Sequence, residues 1–201
     1  MKRIAVLVAC AALGGCHHSA RPCAPGAPAR LELRDGAGAL LAAVRPAEGG
    51  ALELCTGDNA ATLAGQVVSD GKVVTLVDAS GALALRLSVG PTGDLQGSGA
   101  HGARLRVHRQ GDAVRVLQPD GVPFGAIALS GKAAIVTDAA SRPLATVAPS
   151  DGDEILTAPD GATRYHVVRA PSALAASAFA LPKLSLPERL TLCLYWLLWS
   201  H

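Results

Sequence analysis

Between Leu31 and Arg169 the chain carries a turn signal about every ten residues, which limits it to short strands joined by tight hairpins. The signals fall at Asp35-Gly36, Gly49-Gly50, Gly57-Asp58-Asn59, Asp70-Gly71, Ser80-Gly81, Gly111-Asp112, Asp120-Gly121, Ser130-Gly131, Gly152-Asp153 and Asp160-Gly161. Between them the apolar residues alternate. In LALRLSV, Leu83, Leu85, Leu87 and Val89 share one face while Ala84, Arg86 and Ser88 share the other, the pattern of a half-buried antiparallel strand. Twelve such runs are predicted, near 31–34, 39–44, 51–55, 62–68, 72–78, 83–89, 104–108, 113–118, 123–129, 133–137, 143–148 and 154–168, the last long enough for two strands. A strand–turn–strand recipe recurs in VTLVDASGALALRLSV, VRVLQPDGVPFGAIAL, AIVTDAASRPLATVAP and EILTAPDGATRYHVVR, so the strands are expected to pair in sequence order.

After Arg169 the pattern changes. APSALAASAFALPKL is an alanine-rich connector, and Ser185 followed by Glu188, with Pro187 in the first turn, is a capping box that opens a helix over about 186–199. Leu190, Leu194, Leu197 and Leu198 cover one side and Leu192, Cys193, Trp196 and Trp199 the rest, so this helix has no polar face beyond its first turn. A helix apolar all round lies in a core or a membrane. Fourteen residues is too short for a bilayer crossing, which takes about twenty, and Pro182, Lys183, Pro187, Glu188 and Arg189 prevent an upstream extension. The strands must therefore supply an apolar cavity for it.

About twelve sequentially paired strands followed by LPERLTLCLYWLLWSH resemble the tubby-like superfamily, which includes the tubby C-terminal domain, the phospholipid scramblases and the LURP-one-related proteins. That resemblance implies a mainly β fold, a closed antiparallel barrel of about twelve strands over residues 30–201 enclosing a central hydrophobic helix. Neither the basic residues with which tubby domains bind phosphoinositides nor the acidic metal ligands of scramblases align onto this chain.

The first residues set a cellular address. In MKRIAVLVACAALGGC, Lys2 and Arg3 precede an apolar run from Ile4 to Leu13, the length of a secretion signal rather than a membrane span. Leu13, Gly14, Gly15 and Cys16 resemble the lipobox of bacterial lipoproteins, which implies cleavage of a 1–15 signal peptide and acylation of Cys16. Residues 16–29 then form a proline-rich tether, and the expected location is the bacterial cell envelope, with the membrane as a partner through the lipid on Cys16. His17 in place of aspartate favours the outer membrane, by resemblance to enterobacterial sorting. In that oxidising compartment Cys23 and Cys55 are candidates to pair, and Cys193 is expected as a buried thiol.

Removing residues 1–15 takes two positive charges from the 18 Lys plus Arg, leaving them balanced against 16 Asp plus Glu. This is not the basic footprint of a nucleic-acid binder. No H-E-x-x-H, G-x-S-x-G or C-x-x-C occurs, and GAIALSGKA has the wrong spacing for a phosphate loop, with Ala133 where Ser or Thr is required. No catalytic residues, cofactor or metal are assigned. His17 and His18 read as tether, and Asp151, Asp153 and Asp160 as turn chemistry. Arg104, Arg106 and His108 share one strand face and Arg164 with His166 repeats the pattern, which makes these five a candidate anion patch. The expectation is a monomeric, non-enzymatic lipoprotein that presents a barrel to a protein, glycan or lipid partner, the alternative being a lipid-binding or lipid-handling protein.

Overall fold

The computed structural model describes residues 22, 23, 28–70, 72–170 and 172–199. The expected signal peptide, the lipobox from Leu13 to Cys16 and most of the tether lie outside them, as do the side chains of Leu198 and Trp199.

Fourteen strands form the wall: β1 (Leu31–Asp35), β2 (Leu40–Pro46), β3 (Leu52–Thr56), β4 (Thr62–Asp70), β5 (Val73–Asp78), β6 (Leu83–Val89), β7 (Leu95–Gly99), β8 (Gly102–Gln110), β9 (Ala113–Leu117), β10 (Pro123–Ser130), β11 (Ala133–Thr137), β12 (Pro143–Ser150), β13 (Asp153–Thr157) and β14 (Thr163–Val168). Each pairs with its sequence neighbours and β14 returns to β1, closing an antiparallel barrel. The strands number fourteen where about twelve were expected. The run 154–168 is two strands split by the Asp160-Gly161 turn, and β7, LQGSG, was not among the predicted runs. Of its two inward positions, Leu95 and Gly97, the second has no side chain: a Cβ there would come within 2.7 Å of Leu105 Cγ, so the residue that fits the wall is the one that erases the apolar alternation.

The barrel is built from seven hairpins, β1–β2 through β13–β14, and each has a register shift near its turn. Such bulges add local twist, which helps a sheet coil and close. They gather at one end of the barrel, the bulged rim. There Asp35, Asp78 and Asp138 each accept the backbone N–H groups two and four residues on through Oδ1, so these carboxylates hold turns. The opposite, smooth rim carries the connections between hairpins, and there the chain joins β1 and leaves β14.

Inside, each hairpin contributes two facing pairs, giving two stacked rings. Nearer the bulged rim the pairs are Leu33/Ala42, Leu54/Gly65, Leu76/Leu85, Gly97/Leu105, Val116/Gly125, Val136/Ala145 and Leu156/Tyr165. Nearer the smooth rim they are Leu31/Val44, Leu52/Val67, Val74/Leu87, Leu95/Val107, Val114/Ile127, Ala134/Val147 and Glu154/Val167. Glycine and alanine in the first ring leave room for what fills the lumen.

That filling is a helical hairpin. From the smooth rim α1 (Ala173–Ser177), continued by a 3-10 turn at Ala178–Ala180, packs along β10–β13; after a turn at Leu181–Ser185, α2 (Leu186–Trp199) returns along β4–β6. The sequence predicts α2 and its start; the alanine-rich connector proves to be buried lumen filling, because alanines let α1 approach α2 closely. Leu190, Leu192, Cys193, Leu194 and Trp196 are buried and join one continuous core with both rings, while Leu197 is half-buried at the smooth rim. The polar side chains that enter are satisfied locally: Ser177 Oγ donates to Ala173 O at 2.6 Å and Thr191 Oγ1 to Pro187 O at 2.8 Å. Among the described residues no helix is long and apolar enough to cross a membrane.

Candidate binding site at the barrel mouth

The candidate anion patch is not one site. β8, which carries Arg104, Arg106 and His108, and β14, which carries Arg164 and His166, are separated by β9–β13 in one direction and by β1–β7 in the other. Alternation along a strand is legible in sequence, but which strands face each other around a closed wall depends on the strand number. Three of the five have structural duties or partners. Arg104 donates through Nε to Glu188 Oε1 at 2.7 Å. His108 Nδ1 lies 2.7 Å from Asp94 Oδ1, and this hydrogen bond, aided by the charges of His108 and Arg106, holds the Asp94 carboxyl below the usual range against its desolvation. Arg164 stands beside Tyr165 and Arg189 over the α1–α2 turn, and His166 lies in register with Arg34.

At the bulged rim the filling is locked rather than open. Glu188 Oε2 accepts the Ser185 N–H at 2.7 Å and its hydroxyl at 2.8 Å, completing the predicted capping box, while Oε1 takes Arg104. Burial pushes the Glu188 carboxyl up, but Arg104 and Ser185 outweigh it and leave it below the ordinary range. Arg189 donates to three carbonyls of the connector, Leu184 O at 2.8 Å, Phe179 O at 3.0 Å and Pro182 O at 3.3 Å.

The smooth rim is different. There a cavity of about 490 Å³, within the usual range for small-molecule sites, lies over the start of α1 and the end of α2. Its floor is apolar, with Leu129, Leu174 and Leu197, and charged side chains stand around it: Arg109, Lys132 and Glu154. Arg109 is steadied by its Nε–H donating to Gly111 O at 3.2 Å, and Lys132 sits in the β10–β11 turn. Glu154 is the exception in its ring. The other thirteen inward positions there are aliphatic, and in the six other hairpins the equivalent residue is Leu31, Leu52, Val74, Leu95, Val114 or Ala134. Only 7% of Glu154 is exposed, and its Oε2 is buried without a hydrogen-bond partner. Burial raises its carboxyl above the ordinary value.

Arg109, Lys132 and Glu154 are not among the candidates read from the sequence. The signal exists but needs the hairpin register: once the seven hairpins are superposed, Glu154 is the one acid in an apolar column. Cys193 lies in the lumen with its thiol pushed up by burial, away from any opening. Cys23, Glu53 and Cys55 are the one grouping of metal-type ligands among the described residues, but the two sulfurs are bonded to each other and offer no thiolate. That bond, with Pro22 bridged to Thr62 and the Cys23 N–H donating to Ala61 O at 3.0 Å, fastens the tether to the outside of β3 and β4 over a small apolar cluster of Ala43, Ala60 and Leu63. No family model matches this chain, and no curated protein matches it.

Proposed function

We propose that this protein is a non-enzymatic, lipid-anchored binding module of a bacterial envelope that holds its barrel by the bulged rim and offers the smooth-rim mouth to a ligand. The Cys23–Cys55 disulfide carries this reading, since such bonds persist in oxidising compartments and this one joins the anchor-bearing tether to the barrel wall. The attachment lies beside the β3–β4 turn, at the bulged rim. Pro22 is six residue steps beyond Cys16, a reach of at most about 20 Å, so an acylated Cys16 would keep that rim near the membrane and turn the mouth away from it. Outer-membrane placement belongs to the same proposal and rests on His17.

Kinship with the tubby-like superfamily is likewise proposed, on the strength of a closed antiparallel barrel around a hydrophobic helix; fourteen strands and a second lumen segment depart from that pattern. The alternative, carriage of an acyl chain inside the barrel, is disfavoured because α1 and α2 already occupy the lumen.

The test is metabolic palmitate labelling with membrane fractionation. The native chain should take label and sediment with membranes, and Cys16→Ser should lose the label and become soluble in the envelope fraction. An unlabelled native chain that still sediments would end the lipoprotein reading.

A further inference from the structure

Glu154 and Lys132 line one cavity at the smooth rim, together with the apolar side chains of Leu129, Leu174 and Leu197. We propose that this mouth binds short apolar peptides with free ends, the peptide ammonium at Glu154 and its carboxylate at Lys132, with Arg109 on the far side; the proposal rests on the mouth being the ligand-binding face.

The acid end follows from an unmet bond. A buried carboxylate oxygen without a donor is costly, and an apolar residue fills the same place in the six sister hairpins, so the wall does not need an acid there. Carboxylate terminal torsions are broad, so a small rotation presents Oε2 to the cavity and to a donor brought by a ligand. An ammonium satisfies both the empty bond and the charge.

The basic end lies at a defined remove. Lys132 immediately precedes β11, two strands from β13, which at the usual strand spacing is roughly 10 Å along the wall. A free amino acid carries both charges on one carbon and a phosphoethanolamine carries them two carbons apart, so neither reaches both groups. An extended tripeptide spans about 10 Å. Its apolar side chains would cover Leu174 and Leu197, where the helical hairpin comes to the surface.

Calorimetric titration of the full-length protein in lipid nanodiscs tests this with three probes: Ala-Leu-Ala, the same peptide N-acetylated, and the same peptide as its C-terminal amide. The free peptide should bind with one site per chain, and each blocked form at least tenfold more weakly. Glu154→Gln should abolish the preference for a free amine and keep that for a free carboxylate; Lys132→Gln should do the reverse. Equal binding of blocked and free peptides, no binding of any, or a Glu154→Gln protein that is only more stable and still prefers the free amine would overturn the proposal. Palmitate labelling of the same preparation separates the two readings: a failed titration on labelled protein removes the peptide site and leaves the envelope assignment standing.

Discussion

Arg104 on the barrel wall and Glu188 on the helix inside it are 84 residues apart in sequence and 2.7 Å apart in space, Nε to Oε1. The same Glu188 caps α2 through Ser185, so one carboxylate both starts the helix and moors it to β8. Glu188→Ala should cost roughly 1–3 kcal/mol, because it removes the cap and leaves Arg104 without its partner. Glu188→Gln keeps a capping residue and should cost less. Urea unfolding of the two variants gives the comparison; equal losses would mean that the cap adds nothing to the charge pairing with Arg104.

Acid should erase the difference between native and Glu188→Gln proteins. The folded carboxyl lies below its ordinary value, so its contribution is complete above the unfolded value of about 4.3 and is lost as pH falls through the folded one. The stability gap measured at neutral pH should therefore persist to about pH 5 and close below about pH 4. A gap that narrowed between pH 8 and 6 would assign the effect to another group.

The disulfide closes a loop with a sequence separation of 32 and fastens the tether outside the wall rather than inside the core. Cys55→Ser should lower stability by about 3 kcal/mol through the freer unfolded chain, and should leave the barrel folded, because both rings and the helical hairpin are untouched. Circular dichroism and thermal unfolding distinguish this from collapse of the fold.

Much of this architecture was legible. The turn spacing, the alternation and the Ser185–Glu188 box implied sequentially paired strands and an apolar helix that they must cover, and the resemblance to the tubby-like superfamily implied their closure into a barrel around it. Strand β7 escaped because Gly97 replaces a wall residue, and the lumen role of Ala173–Ala180 escaped because alanine reads as a connector when no large apolar residue marks a face. The mouth site was hidden for a different reason. Glu154 looks ordinary in EILTA until its neighbours around the ring are known, and the apparent kinship of the Arg104 and Arg164 strands dissolves once five strands separate them.

Gly125 is a glycine for the sake of packing: a Cβ there would lie 2.6 Å from Thr137 O and 3.1 Å from Leu181 Cδ2, where the helical connector meets the wall. Gly125→Val should destabilise by about 1–3 kcal/mol through overpacking. Ala128→Val, on the exposed outer face of the same strand, should change stability by no more than about 0.5 kcal/mol. Similar effects at the two positions would place the connector away from β10.

Arg189 tests whether the two lumen helices act as one plug. Its guanidinium holds the carbonyls of Phe179, Pro182 and Leu184, all three in the segment that reverses the chain between α1 and α2. Burial pulls its own proton affinity down, against the opposing pull of Tyr165 and Glu188. Arg189→Lys places one ammonium where a planar fork reached three oxygens, so it should restore only part of what Arg189→Ala loses. Arg189→Ala should cost about 2–3 kcal/mol, with at least one buried acceptor left unpaired. Because α1 packs on β10–β13 and α2 on β4–β6, loosening the turn between them should loosen both. Hydrogen exchange should therefore speed up in 173–180 as well as in 186–192. Faster exchange confined to α2 would show that the two helices hold to the wall independently.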